Sequence, residues 1–479
     1  MQTMTADDGL LAGFRSLEAE VTDHRLPTSG SVPEWLSGAL IRNGPGRFES
    51  GDDRVSHWFD GLAMLRRYAF DDGTIRYTNR FLRTEAHAAA RDGSLEGQFG
   101  TDVGFARRLA AWVQARGPPT PTDNASVHVA RLGDHYVALT EAPRRVAFDP
   151  VTLETHGEFR WRDDLPEHLA TAHLTVDPTS GETIGYATTF GRNPQYHVYR
   201  IENGTATREL IASVPAIGPG YVHDCSVTPN YVVLVETPLR IAIWRALTPW
   251  GDDGLLDALV YDHDRPVRFV VIDRDTGDLV AEPRTDPFFT FHHANAFEDD
   301  DTLVLDLVAF PDGDVVDGLT LEALSQDGFD AAPDGRLRRF RIDPHASDDR
   351  VVREQATRYP GGLEFPTVAP SARSRPYRFL YGQTTDRRGA NGLVKLDLET
   401  GTATEWWKSG WYVEEPRFVP RPGGAAEDDG VVLATAIDVE AAQSLVLVFD
   451  AETLSERARA TLPHVAPFGF HGRFFPDAA

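Results

Sequence analysis

Four of the 16 histidines stand in settings that suit metal ligation. His173 lies in TAHLTVDP, His223 in YVHDCSVT, His292 in FFTFHHANAFEDD and His471 in PHVAPFGFHG, each beside a β-rich run. Neutral imidazoles suit a borderline divalent ion, whereas the single cysteine, Cys225, rules out Cys-based zinc or iron-sulfur sites and an internal disulfide. A metal held by this chain must therefore rest on histidines and carboxylates. The intervals between the four are 50, 69 and 179 residues, so no one helix or hairpin can gather them. His293 abuts His292 and competes with it for the same role.

The elements that could gather them repeat along the chain. An apolar strand end followed by Asp, then Thr and often Gly, recurs as FDPVTLETHGE from Phe148, VDPTSGET from Val176, IDRDTGDLV from Ile272, LDLETGTATEW from Leu396 and FDAETLSER from Phe449. Each reads as a tight turn closing a β-hairpin, because Asp caps the turn through its own backbone and Gly takes the left-handed position. Asp343 to Asp397 is 54 residues and Asp397 to Asp450 is 53, room for about four short strands, near the roughly 40–50 residues of a propeller blade. Residues one blade apart converge on a propeller's axis, so the histidine intervals fit one, one and about three blades. Runs such as HYVALTEAPRRVAF and TLVLDLVAF support an all-β chain. We expect an N-terminal extension over 1–30 and one propeller over 31–479, with cap insertions including about 85–122. Within that insertion Phe105, Leu109, Trp112 and Val113 form an apolar stripe at helical spacing, which reads equally as a packed surface helix and as a peripheral membrane contact.

Composition narrows the partners. With 47 basic and 73 acidic residues the formal charge is −26, which argues against nucleic acid, since a phosphate backbone needs a basic face. Only two of the basic residues are lysines, Lys395 and Lys408; this skew and the acid excess point to a halophile's cytoplasm, where carboxylates keep a protein hydrated. The start, MQTMTADDGLLAGF, lacks the basic and apolar regions of an export signal, and no run reaches the roughly 18 apolar residues of a membrane span. We expect a cytoplasmic protein, at most peripheral on a membrane.

The motifs resemble those of the carotenoid cleavage oxygenase family, which includes apocarotenoid oxygenases, β-carotene 15,15′-oxygenases, the retinoid isomerase of the eye and stilbenoid-cleaving enzymes. VPEWLSGALIRNGPGRFE, HWFDGLAML, DNASVHVARLGDHYVALTEAP, TLETHGEF, the four histidine segments, EFPTVAP, EEPRFVPRPG and PFGFHG follow in the family's order. The resemblance implies a seven-bladed β-propeller with ferrous iron on its axis and a loop and helix cap over an apolar tunnel. It implies His173, His223, His292 and His471 as iron ligands, with His292 preferred to His293 because the family's histidine follows Phe and lies three before Asn. It further implies Glu141, Glu364 and Glu415 as partners of His223, His292 and His471, with Glu414 the competitor for the last role. Such carboxylates accept the second ring N–H, fixing the tautomer and raising basicity. Val127 matches a position beside the open iron sites where many bacterial and plant members carry Thr and animal-type members an aliphatic.

Octahedral iron on four imidazoles keeps two positions open, room for O2 beside an apolar polyene, and both oxygen atoms can end in two aldehydes without an external reductant. The expected reaction is therefore oxidative cleavage of a conjugated C=C bond, 15,15′ cleavage to retinal being preferred. The alternatives are stilbenoid cleavage, which the absence of lysine before Lys395 disfavours, retinoid isomerisation, and a non-catalytic propeller platform.

Overall fold

The computed structural model describes residues 10–478 apart from 96, 102–108, 110–112, 114–119, 217, 243–244, 246–253, 346–351 and 356. Seven antiparallel sheets form the blades of a propeller, as expected. Blade 1 is built on Gly38–Arg42, Leu62–Asp71 and Thr74–Phe81, and blade 2 spans 128–159. Blades 3 to 6 span 169–215, 225–285, 293–355 and 363–407, and blade 7 spans 411–461.

Most strands are buried on both faces, which explains apolar runs in place of strict alternation. In blade 7, Val431 and Leu433 pack with Leu40 and Phe70 of blade 1, while Val432 and Ala434 pack with Tyr381 and Leu393 of blade 6. Successive side chains thus enter different layers, and the core is a ring of such layers between neighbouring blades.

Both chain ends close that ring. Gly472–Phe475 pairs with Gly38–Arg42 as the innermost strand of blade 1. Val21–Arg25 and Thr28–Gly30, which the sequence reading assigned to the extension, add outermost strands to blades 1 and 7. Closure by strand pairing leaves no open gap between first and last blades.

The Asp turns all fall at one end of the barrel-like ring. Asp149, Asp273, Asp397 and Asp450 sit between the third and outer strands of blades 2, 4, 6 and 7, and Asp177 sits between the first and second strands of blade 3. At Asp273 the carboxylate accepts the N–H groups of Asp275 and Thr276 at 2.9 and 2.8 Å, the local closure expected from the motif. The opposite end carries the cap. There Thr84 and Thr320 cap helices Glu85–Arg91 and Leu321–Asp327, and the Asp60 carboxylate gathers the N–H groups of Gln98, Phe99 and Gly100 at 2.8–2.9 Å. Of the apolar stripe, Leu109 and Val113 are exposed and Phe105 and Trp112 lie outside the described residues. No helix among the described residues is long and apolar enough to cross a membrane.

Candidate metal centre

Each candidate histidine stands where the chain enters or forms the innermost strand at the capped end. His223, His292 and His471 immediately precede or nearly precede Cys225–Val227, His293–Asp299 and Gly472–Phe475, and His173 lies between Leu169–Ala170 and Thr175–Val176. They come from blades 4, 5, 1 and 3, and one ring nitrogen of each lies within 4.8 Å of the others. Blades 2, 6 and 7 contribute Glu141, Glu364 and Glu415. Every blade thus contributes to the centre, four through a ring that reaches the axis and three through a carboxylate behind a ring.

The carboxylates set the tautomers. His223 Nδ1 is 2.6 Å from Glu141, His292 Nδ1 is 2.6 Å from Glu364, and His471 Nδ1 is 2.8 Å from Glu415. With Nδ1–H donated outward, the Nε2 lone pairs point to the axis. His292 Nε2 and His471 Nε2 then meet at 3.2 Å with no proton to share, an arrangement that a cation between them satisfies. His173 Nε2 is buried without a hydrogen-bond partner. This donor set, four imidazoles with one orphaned nitrogen, fits a borderline divalent ion.

Burial depresses His173 well below the usual histidine range, aided by the four neighbouring rings of His471, His223, His292 and His128. Burial also outweighs Glu415 at His471, lowering its pKa to about 3. At His292 burial acts in the same direction, but Glu364 overcomes it and raises the pKa. Burial opposes the Glu415 anion too, yet Arg417, His471 and Arg42 hold that carboxyl well below its ordinary range. The centre therefore combines two rings held towards the neutral form, His173 and His471, with one held towards the charged form, His292, and a carboxylate that stays charged.

The two competitors face elsewhere. His293 turns its Nδ1 to the Ser226 hydroxyl at 2.9 Å, and Glu414 is engaged by the Thr435 hydroxyl and the Gly469 N–H. Their neighbours in sequence point to the axis because successive strand residues take opposite faces.

Above the centre lies a cavity of about 1030 Å³, at the upper end of the size expected for a small-molecule site, roughly 300–1,000 Å³. His223, His292 and His471 reach it, Val127 lines it, and Phe59, Phe291, Phe310 and Phe470 supply apolar wall. The sequence reading missed three contributors. Tyr221 donates its hydroxyl to Glu141 at 2.7 Å, so one carboxylate receives both a phenol and an imidazole. Phe365 follows Glu364 with φ at 50° and lays its ring 5.1 Å from His292 and 5.4 Å from His471. A bulky residue in this left-handed region is strained and needs its surroundings to hold it. His128, buried on the innermost strand of blade 2, sets its ring 5.2 Å from that of His471 at a tilt of 34°. Tyr221 sits two residues before His223, a cue that spacing alone offered; the others leave no mark in a single sequence.

Known proteins match this chain over nearly its whole length. The family model for retinal pigment epithelial membrane protein matches residues 14–476. The mitochondrial carotenoid-cleaving dioxygenase of Mustela putorius furo is 31% identical, covering 93% of this chain and 92% of that protein. The β,β-carotene 15,15′-dioxygenase of Rattus norvegicus is 27% identical over 97% of this chain and 91% of its own length. Among solved structures, cobalt-substituted Synechocystis apocarotenoid oxygenase superposes with a TM-score of 0.85 at 27% identity, covering 99% of this chain and 100% of that one. The propeller, the converging imidazoles and a match over almost the whole chain together make this protein a member of the retinal pigment epithelial membrane protein family of carotenoid cleavage oxygenases, and an oxidoreductase of that kind.

Proposed function

We propose that the chain cleaves one conjugated C=C bond of a carotenoid or apocarotenoid with O2, giving two aldehydes, at a ferrous ion held by His173, His223, His292 and His471. The observation that carries this reading is the set of four imidazoles converging at the floor of an apolar cavity. A relative solved in cobalt-substituted form supports a metal there. When bound, ferrous iron supplies the one-electron chemistry that ground-state dioxygen requires.

The chain's own residues orient and exclude. Glu141, Glu364 and Glu415 fix three rings so that their Nε2 atoms face one point. Phe59, Phe291, Phe310 and Phe470 offer a polyene a dry wall, and water kept from a reactive centre cannot divert it. No proton donor is needed for the scission itself, so Glu141, Glu364 and Glu415 can be given over to orienting the rings.

Cleavage at the 15,15′ bond to give retinal is the preferred assignment, supported by the aliphatic Val127 in the wall and by the rat relative's name. Stilbenoid cleavage has less support. Lys395 is paired with Asp428 at 2.6 Å and Lys408 with Glu456 at 3.2 Å, and neither lines the cavity. Retinoid isomerisation uses the same cavity and yields no aldehyde pair, so one experiment separates all three. The protein is reconstituted anaerobically with ferrous iron, given oxygen and offered β-carotene, apocarotenals, a retinyl ester and resveratrol. Loss of the polyene band with retinal identified by mass is the expected result. Geometric isomers without cleavage, or cleavage of resveratrol alone, overturn it.

A further inference from the structure

On the side of the imidazoles away from the cap, three arginines lie near enough to repel one another. Arg473 lies on the innermost strand of blade 1, Arg417 on that of blade 7, and Arg373 on the loop that follows the innermost strand of blade 6. All three keep partial solvent access, although burial lowers the pKa of Arg373 and Arg473 and the other arginines lower it further. These side chains are thus set among protein atoms without being fully sealed from solvent.

The loop carrying Arg373 spans the axis. Asn295 of blade 5 donates to the carbonyls of Ala372 and Arg375 at 2.9 and 3.1 Å. The Ser374 hydroxyl donates to Val227 of blade 4 at 2.8 Å, and Arg375 reaches Thr179 of blade 3 at 2.9 Å. Ser374 itself holds φ at 59°. Residues of three other blades therefore fix the loop in a strained form.

The charges beneath the metal centre do not balance. Arg417 is spent on Glu415, at 2.7 Å. The Asp224 carboxylate accepts the N–H groups of Cys225 and His293 at 2.7 and 3.0 Å. Among the described residues Arg373 and Arg473 have no ion pair, and the one side-chain hydrogen bond of Arg473 runs 3.4 Å to the Leu174 carbonyl. Three guanidiniums against two carboxylates leave an excess positive charge in a confined space, and such a charge needs a counter-ion. Guanidinium forks suit small anions. None of the three arginines lines the substrate cavity, so the site is separate from the one that takes the polyene.

We propose that Arg373 and Arg473, with Arg417 beside them, hold a small inorganic monovalent anion of the chloride class on the propeller axis beneath the histidine cluster.

The probe is bromide. Crystals of the full chain, metal loaded, are transferred to sodium bromide and measured at the bromine absorption edge. An anomalous peak between the Arg373 and Arg473 guanidiniums is expected. Bromide found only on the outer surface, or water alone at the axis, overturns the proposal. In solution, thermal unfolding is compared in sodium chloride and in sodium gluconate at equal ionic strength, gluconate being a far bulkier monovalent anion. A saturable rise in Tm with chloride is expected in the native chain and in Arg373→Lys, and its loss in Arg373→Gln. Equal chloride increments in the native chain and Arg373→Gln overturn the assignment. If Arg373→Gln does not fold, the bromide map on the native chain decides alone.

Discussion

The two ends of the propeller are built by opposite rules. At the uncapped end four blades close their third hairpin with the same device, an Asp accepting N–H groups two or three residues ahead. At the capped end every blade delivers a different residue: His173, His223, His292 and His471, or Glu141, Glu364 and Glu415. Repetition suits the first because each turn needs only its own residues to close. Individuality suits the second because the seven side chains share one centre, and each must meet the others at its own angle. Damage should accordingly be severe and collective at the capped end, and mild and local at the other.

The largest effect is expected from His292→Ala. Removing one imidazole leaves Glu364 without its ring partner and the centre without a donor, so bound iron and aldehyde formation should both fall to background. His293→Ala removes a ring that bonds Ser226 and not the axis, and should keep its iron. Metal analysis of the two purified variants checks this, and equal retention would remove His292 from the centre.

A smaller effect is expected from Glu364→Gln. The amide keeps the shape but no longer demands that His292 Nδ1 carry the proton, so the Nε2 lone pair is no longer guaranteed to face the axis. Iron affinity should fall by about 10–100-fold, the usual result of losing such a partner. Competition with a chelator of known strength measures it. Glu414→Gln should leave affinity unchanged, because that carboxylate serves Thr435 and the Gly469 amide.

The same contrast governs what a single sequence reveals. The Asp turns were legible from local chemistry alone, and with them the blade period and the all-β class. The spacing of the histidines suggested convergence but could not choose His292 over His293 or Glu415 over Glu414. Resemblance to a family made those choices, through the Phe before His292 and the order of the motifs. What neither supplied was contact across blades. Phe365 is strained against rings from blades 5 and 1, His128 packs its ring against His471 from 343 residues away, and Arg373, Arg417 and Arg473 look like ordinary charged residues until three blades bring them together. Such features follow from closure of the ring, which no local window contains. The strands within residues 21–30 are hidden for a related reason: Val21–Arg25 and Thr28–Gly30 are too exposed and polar to read as strands until strands from far along the chain pair with them.

The mildest change should come from Asp450→Ala, at a turn of blade 7. Its carboxylate accepts the N–H and hydroxyl of Thr453, both at 3.0 Å, and pairs with Arg457 at 3.0 Å. Burial works against its charge, yet those three partners leave its pKa below the usual value. A group whose pKa is lower folded than unfolded stabilises the protein at higher pH and loses that contribution as pH falls. The partly exposed site is screened by solvent, so the variant should be less stable by about 1 kcal/mol near neutrality. The difference should hold from pH 8 down to roughly the ordinary aspartate pKa of about 3.9 and shrink below it, as the unfolded chain takes up the proton first. Iron content should not change, because the turn lies at the other end of the ring from the imidazoles. Denaturant unfolding of the two proteins across that pH range measures the stability, with metal analysis alongside. Loss of iron in Asp450→Ala would show that the two ends are coupled and that the division between a repeated scaffold and an individual centre is false.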